Sequence, residues 1–296
     1  MRVLILGATG MLGHKLCQVF RERFDTWGTA RSDPRAQAGY GLLDPARTLG
    51  GVDVFDFDTV VRSVGTVHPE AIINCVGVVK QLPAAQDPII SLSVNALFPH
   101  RLANLCRAAG ARLIHLSTDC VFSGRKGKYT EDQITDAEDL YGRTKLLGEV
   151  GGLGCLTLRT SIIGRELRTP HGLLEWFLAN RGRRVRGYTA AIYSGFSTLV
   201  MSRIIADLLE HHPDLSGVYH VASEPIDKYR LLCLVRDVFR LPITIEPSAD
   251  VQIDRSLDSS RFRARTGYVP PSWEEMIREV AMDPTPYDKW RSAHGA

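Results

Sequence analysis

What this 296-residue chain has little of already excludes several classes of protein. Only six cysteines occur, at 17, 75, 106, 120, 155 and 233, with no Cys-x-x-Cys pair and no histidine spacing that would hold zinc. Dispersed single cysteines in apolar stretches act as small buried groups, which predicts a reducing compartment rather than a disulfide scaffold. No apolar run approaches the roughly 20 residues of a membrane span, so no membrane role is expected. The N-terminus also lacks the charged and apolar regions of a signal peptide, because RVLILGATG runs straight into glycines. A cytoplasmic protein is the expectation. Net charge is only +3, too small to argue for nucleic acid or an anionic membrane. There is no low-complexity linker, no internal repeat and no acidic cluster demanding a metal, so the metal-ligand set is expected to be none.

What remains is ordinary for a globular protein: 44% hydrophobic and 23% charged residues, with length enough for one large domain or one domain and a smaller lobe. The first half alternates. RVLIL reads as a strand buried on both faces, followed by a helix with Leu12, Leu16, Val19 and Phe20 on one stripe. DTWGTA reads as a second strand and VDVF as a short third. AIINCVG and RLIHLSTDCVF follow as strands, separated by a helix around SVNALFPHRLANLCRAAG whose C-cap is Gly110. DLYGRTKLLGEV reads as a helix and CLTLRTSIIG as a strand. This β–α rhythm predicts a Rossmann-type, doubly wound parallel sheet, an α/β fold. After Gly164 the rhythm loosens. Helices are expected at HGLLEWFLANRG, TLVMSRIIADLLEHH and KYRLLCLVRDVFRL, a strand at GVYHVAS, and a helix opened by the two prolines of PPSWEEMIREVA. The division expected is a dinucleotide-binding domain over 1–164 and a smaller C-terminal substrate-binding lobe over 165–296, interleaved with the last strands of the sheet.

GATGMLG sets Gly7, Gly10 and Gly13 between the first strand and the first helix. Such glycines allow a tight turn and let the backbone approach a pyrophosphate seated on the helix N-terminus. The second strand ends GTARSD, with Arg31 and Ser32 where an NAD site usually carries an acid. An arginine fork there suits a 2′-phosphate, so NADP(H) is favoured over NAD(H), although Asp33 is near enough to keep NAD open.

Tyr141 and Lys145 stand one helical turn apart, which puts both side chains on one face. A free tyrosine, with a pKa of about 10, shuttles protons poorly at neutral pH, and an adjacent ammonium with an oxidised nicotinamide nearby would lower that value. A hydroxyl at the end of a neighbouring strand completes such a site, and STDCVF supplies Thr118 with Ser117 beside it.

Taken together, GATGMLGHKL, AIINCVG, SVNALFPHRLA, STDCVFSG (117–124), YGRTKLLGE (141–149), LRTSIIG and SLDSSRFRARTGYVPPSWEEMI resemble the extended short-chain dehydrogenase/reductases, in the dTDP-4-dehydrorhamnose reductase-like branch. The similarity runs over nearly the whole chain. It implies that Thr118 bonds the substrate carbonyl oxygen, Tyr141 delivers the proton, and Lys145 holds the nicotinamide ribose and depresses the tyrosine. It also implies a cofactor cradle of Gly7, Thr9, Gly10, Met11, Leu12, Gly13, Arg31, Ser32, Asp53, Val54, Val76, Gly77, Val78, Asn95 and Lys145. Asn95 matches a proton-relay asparagine of some members, and reads equally as a buried amide bonded to backbone.

The resemblance implies reduction of the C4 keto group of a nucleotide-linked 4-keto-6-deoxy sugar, in surface-polysaccharide (O-antigen) precursor synthesis. Related dehydratases carry Thr-Asp-Glu where this chain has Thr118-Asp119-Cys120, and a thiol is a poor carboxylate substitute. Cys120 also replaces a tyrosine of the closer reductases. A 4-epimerase would need tight cofactor retention, for which the sequence carries no sign. Expected substrate contacts are Lys80, Asp119, Cys120 and one of Arg183, Arg184 and Arg186, since the three cannot all point one way. NCVGVVKQ and STDCVFSG look most like reductases of UDP-2-acetamido-2,6-dideoxy-4-hexuloses. The competing class is non-catalytic: the regulatory beta subunit of methionine adenosyltransferase resembles this branch and binds NADP. Some rhamnose-type reductases form metal-assisted dimers, which leaves a homodimer possible.

Overall fold

The computed structural model describes residues 1–33, 43–80, 82–167 and 170–294; Gln81, which closes NCVGVVKQ, lies outside them. β1 (Arg2–Leu6) is buried from Val3 to Leu6, as a central parallel strand must be. The glycine loop leads into α1 (Met11–Phe20), on which Leu16 and Phe20 are fully buried. Each of those side chains stabilises the fold by about 2 kcal/mol. β2 (Asp25–Thr29) returns, and β3 (Thr48–Leu49) lines the sheet edge. VDVF, expected as that strand, is instead turn and loop. Gly51 takes a left-handed φ of 71°, and the Asp53 carboxylate accepts the Phe55 N–H at 3.0 Å, so extended pairing ends before it.

α2 (Phe57–Val67) and β4 (Ala71–Asn74) follow. A longer helical stretch than expected then comprises α3 (Pro88–Ser91), a π-helical segment over Leu92–Leu97, and α4 (Phe98–Ala109), closed by Gly110 at φ 68°. Pro99 has no N–H to offer the Asn95 carbonyl one turn back, and the wider π pitch carries the ladder past it. β5 (Arg112–Thr118), α5 (Leu140–Leu147) and β6 (Cys155–Thr160) complete the next repeat. CLTLRTSIIG breaks at Ser161 because β7 (Ile162–Ile163) leaves the main sheet for another partner.

Beyond it lie α6 (Leu173–Leu178), β8 (Arg184–Tyr188), β9 (Ala191–Tyr193), β10 (Phe196–Ser197), which pairs with β7, and α7 (Thr198–His211). Next come β11 (Gly217–His220), β12 (Ile226–Asp227), α8 (Lys228–Phe239), β13 (Thr244–Ser248) and β14 (Ile253–Asp254). Three helices end the chain: α9 (Ser260–Thr266), α10 (Trp273–Ala281), opened by a Ser272–Glu275 capping box, and α11 (Tyr287–His294).

Seven strands form one parallel sheet in the order β11-β6-β5-β4-β1-β2-β3, a Rossmann-type doubly wound arrangement. Its last strand, β11, comes from beyond Gly164. One apolar core packs α1, α7, α8 and α10 against one face, and a second packs α2 and α4 against the other. The winding reverses between β1 and β4, which opens a crevice at their carboxyl ends. Smaller sheets, β12-β9-β14 and β13-β8, build the C-terminal part. The loop after β5 is tied to that part by the Tyr129 N–H on the Ser256 carbonyl at 3.0 Å.

Candidate active site

At the glycine loop, a Cβ on Gly13 would stand 2.1 Å from the Gly7 carbonyl oxygen, so only glycine lets α1 begin this close under the turn. Gly10 is the N-cap of α1 and offers no side-chain cap, which leaves first-turn N–H groups without one. That donor set fits a pyrophosphate. Thr9 and Met11 flank Gly10 at the half-buried mouth of the turn, and Leu12 is buried beneath it. Past the end of β2, Arg31 is exposed and Ser32 half-buried. Val54, next to Asp53, packs with Val76 against Val78.

The loop after β4 is held by Asn95, which is 1% exposed. Its Oδ1 accepts the Val78 N–H at 2.9 Å, while its Nδ2 donates to the Val78 carbonyl at 3.0 Å and the Thr144 hydroxyl at 3.4 Å. The geometry fits the buried-amide reading, with the side chain joining Val78 of this loop to Thr144 of α5.

α5 starts at Asp139, whose carboxylate accepts the Gly142 N–H at 2.7 Å and the Lys80 ammonium at 2.6 Å. Lys80 thereby stands at the head of the helix that carries Tyr141. The Tyr141 phenol lies beside Thr118, the last residue of β5. Thr118 Oγ1 in turn donates to Asp119 at 3.1 Å and accepts the Cys120 N–H at 3.1 Å. Lys145 is buried, its Nζ donating to the Leu116 carbonyl at 2.6 Å. α5 comes this near because its C-cap is Gly148, where a Cβ would meet the Asn95 carbonyl oxygen at 1.9 Å.

The depression expected of the tyrosine comes from the ammonium together with an oxidised nicotinamide, and the protein's own neighbours act the other way. Burial pushes the Tyr141 phenol above the ordinary tyrosine value, Cys120, Asp119 and Asp139 add to that, and Thr118 opposes them. Lys145, held on Leu116, is itself lowered to about 8 by burial, with Glu149 and Cys75 pulling the other way. Burial likewise raises the Asp119 carboxyl and takes the Cys120 thiol up to about 12, further from a base than an ordinary cysteine.

Arg184 and Arg186 alternate with the buried Val185 and Gly187 on β8, so both point outward. They form exposed ion pairs with Glu246 at 3.0 Å and Asp250 at 3.2 Å, and Arg183 is exposed beside them.

A buried network under the site escaped sequence reading. Glu149, one turn beyond Lys145, takes two bonds from Arg159 at 2.8 Å each and one from Ser117 at 2.7 Å. Arg159 also donates to His220 Nε2 at 3.2 Å, which leaves the ring proton on Nδ1 to donate to the Tyr129 carbonyl at 2.9 Å. The signal was available in CLTLRTSIIG: an arginine within an apolar strand must find a buried partner.

Among the described residues there is no helix long and apolar enough to cross a membrane, and no cluster of three or more metal-ligating groups. The family model described as RmlD substrate binding domain matches residues 1–285. Methionine adenosyltransferase 2 subunit beta of Mus musculus is 26% identical over 93% of this chain and 88% of its own length. A dTDP-4-dehydrorhamnose reductase of Streptomyces griseus is 34% identical over 50% of this chain and 43% of its own. Among solved structures, the dTDP-4-dehydrorhamnose reductase of Bacillus anthracis in complex with NADP superposes with a TM-score of 0.78, at 20% identity over 95% of this chain and 99% of that one. The Bordetella bronchiseptica enzyme WbmG in complex with NAD and UDP superposes at 0.75, with 18% identity over 99% of this chain and 94% of that one. A match spanning nearly every residue of the fold just described has one consequence: the chain belongs to the RmlD substrate-binding-domain family.

Proposed function

We propose that this protein is an NADPH-dependent sugar-nucleotide 4-ketoreductase. The observation that carries the reading is the placement of the buried Tyr141 beside Thr118 at the carboxyl end of β5, with the buried Lys145 one helical turn on. A nicotinamide cofactor, when bound, supplies the hydride. Gly7, Gly10 and Gly13 with the uncapped start of α1 would hold its pyrophosphate, and Arg31 its 2′-phosphate. Thr9, Met11, Leu12, Ser32, Asp53, Val54 and the Val76–Gly77–Val78 loop would line the remaining length.

The chain's own groups then serve a C4 carbonyl. Tyr141, and Thr118 once its hydroxyl turns from Asp119, would be two hydroxyl donors to that oxygen. Burial keeps the Tyr141 phenol protonated at neutral pH, the form a proton donor to a developing alkoxide requires. Lys145, lowered to about 8, is poised to return a proton to the tyrosine. Asp119 and Cys120 lie against the sugar beyond C4. With its thiol held near 12, Cys120 cannot act as the base of an elimination, which favours reduction over dehydration. Residues 165–296, apart from β11, supply the substrate lobe.

The test is loss of reduced-nicotinamide absorbance with NADPH, then NADH, over a panel of UDP- and dTDP-linked 4-keto-6-deoxy sugars bearing hydroxyl or acetamido groups at C2. Tyr141→Phe should cut turnover on the preferred sugar by about 10²- to 10⁴-fold. A second reading has its own support, since the near full-length similarity to a methionine adenosyltransferase subunit points to a cofactor-binding regulatory protein. Tight NADPH binding with no turnover on any sugar, and specific association with a synthetase subunit, would select it.

A further inference from the structure

Besides Lys145, three cationic side chains among the described residues act on the carboxyls of this cleft, and two of them are already engaged. Lys80 is ion-paired with Asp139 at 2.6 Å, and Arg255 donates through Nε to the Phe122 carbonyl at 2.9 Å. The third, Lys228, begins α8, directly after β12. Among the described residues its ammonium makes no hydrogen bond and no ion pair, although the side chain is half-buried. Burial lowers it, while Asp119 and Cys120 favour its charged form and Arg255 and Lys80 oppose it.

Its placement follows from the small sheet. β9 lies between β12 and β14, with Ile226 opposite Tyr193 and Asp254 opposite Ile192. Lys228 follows β12 and Arg255 follows β14, and both act on the Asp119 carboxyl next to Thr118. Lys228 is thus a half-buried ammonium with unmet bonding capacity on the lobe side of this cleft. Buried polar groups are ordinarily satisfied, and a partly desolvated ammonium with no hydrogen-bonded partner is costly. A ligand oxyanion would supply that partner.

We infer that Lys228 receives an oxyanion of the substrate opposite Thr118 and Tyr141. This rests on the reductase reading of the site and assigns the charge of a nucleoside-diphosphate sugar to a residue other than the arginines of β8. Such an oxyanion has two sources, the diphosphate itself or a carboxylate on the sugar. A lysine serves either as a compact point charge.

The experiment is calorimetric titration of wild-type protein, Lys228→Met and Lys228→Arg with UDP, dTDP, UDP-glucose and UDP-glucuronate. NADPH affinity and the melting temperature serve as folding controls, because methionine preserves the stem of the half-buried side chain. Lys228→Met should weaken binding about tenfold or more, and Lys228→Arg less, with NADPH affinity unchanged. An equal loss for UDP, UDP-glucose and UDP-glucuronate assigns the diphosphate, whereas a loss confined to UDP-glucuronate assigns a sugar carboxylate. Unchanged affinity of Lys228→Met for every probe that wild-type protein binds overturns the inference and leaves the reductase reading standing. Wild-type protein that binds NADPH and none of the probes removes the sugar-nucleotide reading, and this inference with it.

Discussion

Tyr141 and Lys145 were legible because one helical turn is a spacing that sequence displays, and Thr118 because it ends an apolar strand. Their protonation was not legible. A tyrosine beside a lysine suggests a depressed phenol, yet Asp119, Asp139 and Cys120 come from separate segments and, with burial, push the other way. Asn95 shows the same limit, since one buried amide can serve a relay or a clamp, and only the Val78 loop folded against it decides. Two predictions belong at this scale. Gly13→Ala, whose methyl would sit 2.1 Å from the Gly7 oxygen, should destabilise the protein by about 1–3 kcal/mol and weaken NADPH binding, read by melting and titration. Asn95→Leu leaves the Val78 N–H and carbonyl without their partner in a buried setting. It should cost about 2–4 kcal/mol and disorder the loop, measurable as faster amide exchange at Val78.

At the scale of elements, the alternation of strand and helix was readable as far as Gly164 because parallel strands buried on both faces leave uninterrupted apolar runs. Edges were harder. β3 pairs along one side only, and its two residues carry little pattern, so the apolar VDVF drew the assignment four residues too late. α5 shows how an element becomes a site. It is gripped at its head by Asp139, at its tail by Gly148 on the π-helical segment, and underneath by the ion pair of Glu149 and Arg159, both under 9% exposed. Glu149→Gln leaves a buried guanidinium without its counter-charge and should cost about 3–5 kcal/mol. Glu149 also raises the Lys145 value, so its neutralisation should move any activity limb governed by Lys145 to lower pH. A variant whose pH–rate profile matched wild type would show that Glu149 acts on stability alone.

For the whole molecule, buried histidines set the response to acid. His14 on α1 contacts the Gly10 carbonyl at 2.8 Å and the Tyr287 hydroxyl of α11 at 2.9 Å, and burial lowers it to about 4. Burial lowers His220 to about 4 as well, with the Arg159 charge reinforcing it. Between about pH 6.5 and 4 the unfolded chain therefore binds protons that the folded one refuses. Stability should fall as pH drops through that window, by on the order of 3 kcal/mol for each histidine, and these two groups should contribute nothing above it. Thermal melts from pH 7 to 4 measure this, and His14→Gln should flatten part of the slope.

The sequence by itself determined the fold class and the end of the sheet that carries the candidate site. Both follow from local facts: apolar runs that must be buried, glycines where a chain must turn, and hydroxyls at strand ends. Only the tertiary structure decided which charges meet. Glu149 finds Arg159 across a loop, His220 arrives on a strand from the far half of the chain, and Arg184 and Arg186 are drawn into surface pairs with Glu246 on β13 and Asp250 just beyond it, while Lys228 has no hydrogen-bonded or ion-paired partner among the described residues. Coulombic and desolvation energies depend on distance and burial, which sequence separation does not encode, so the site's hydroxyls could be read from the chain and its electrostatics could not.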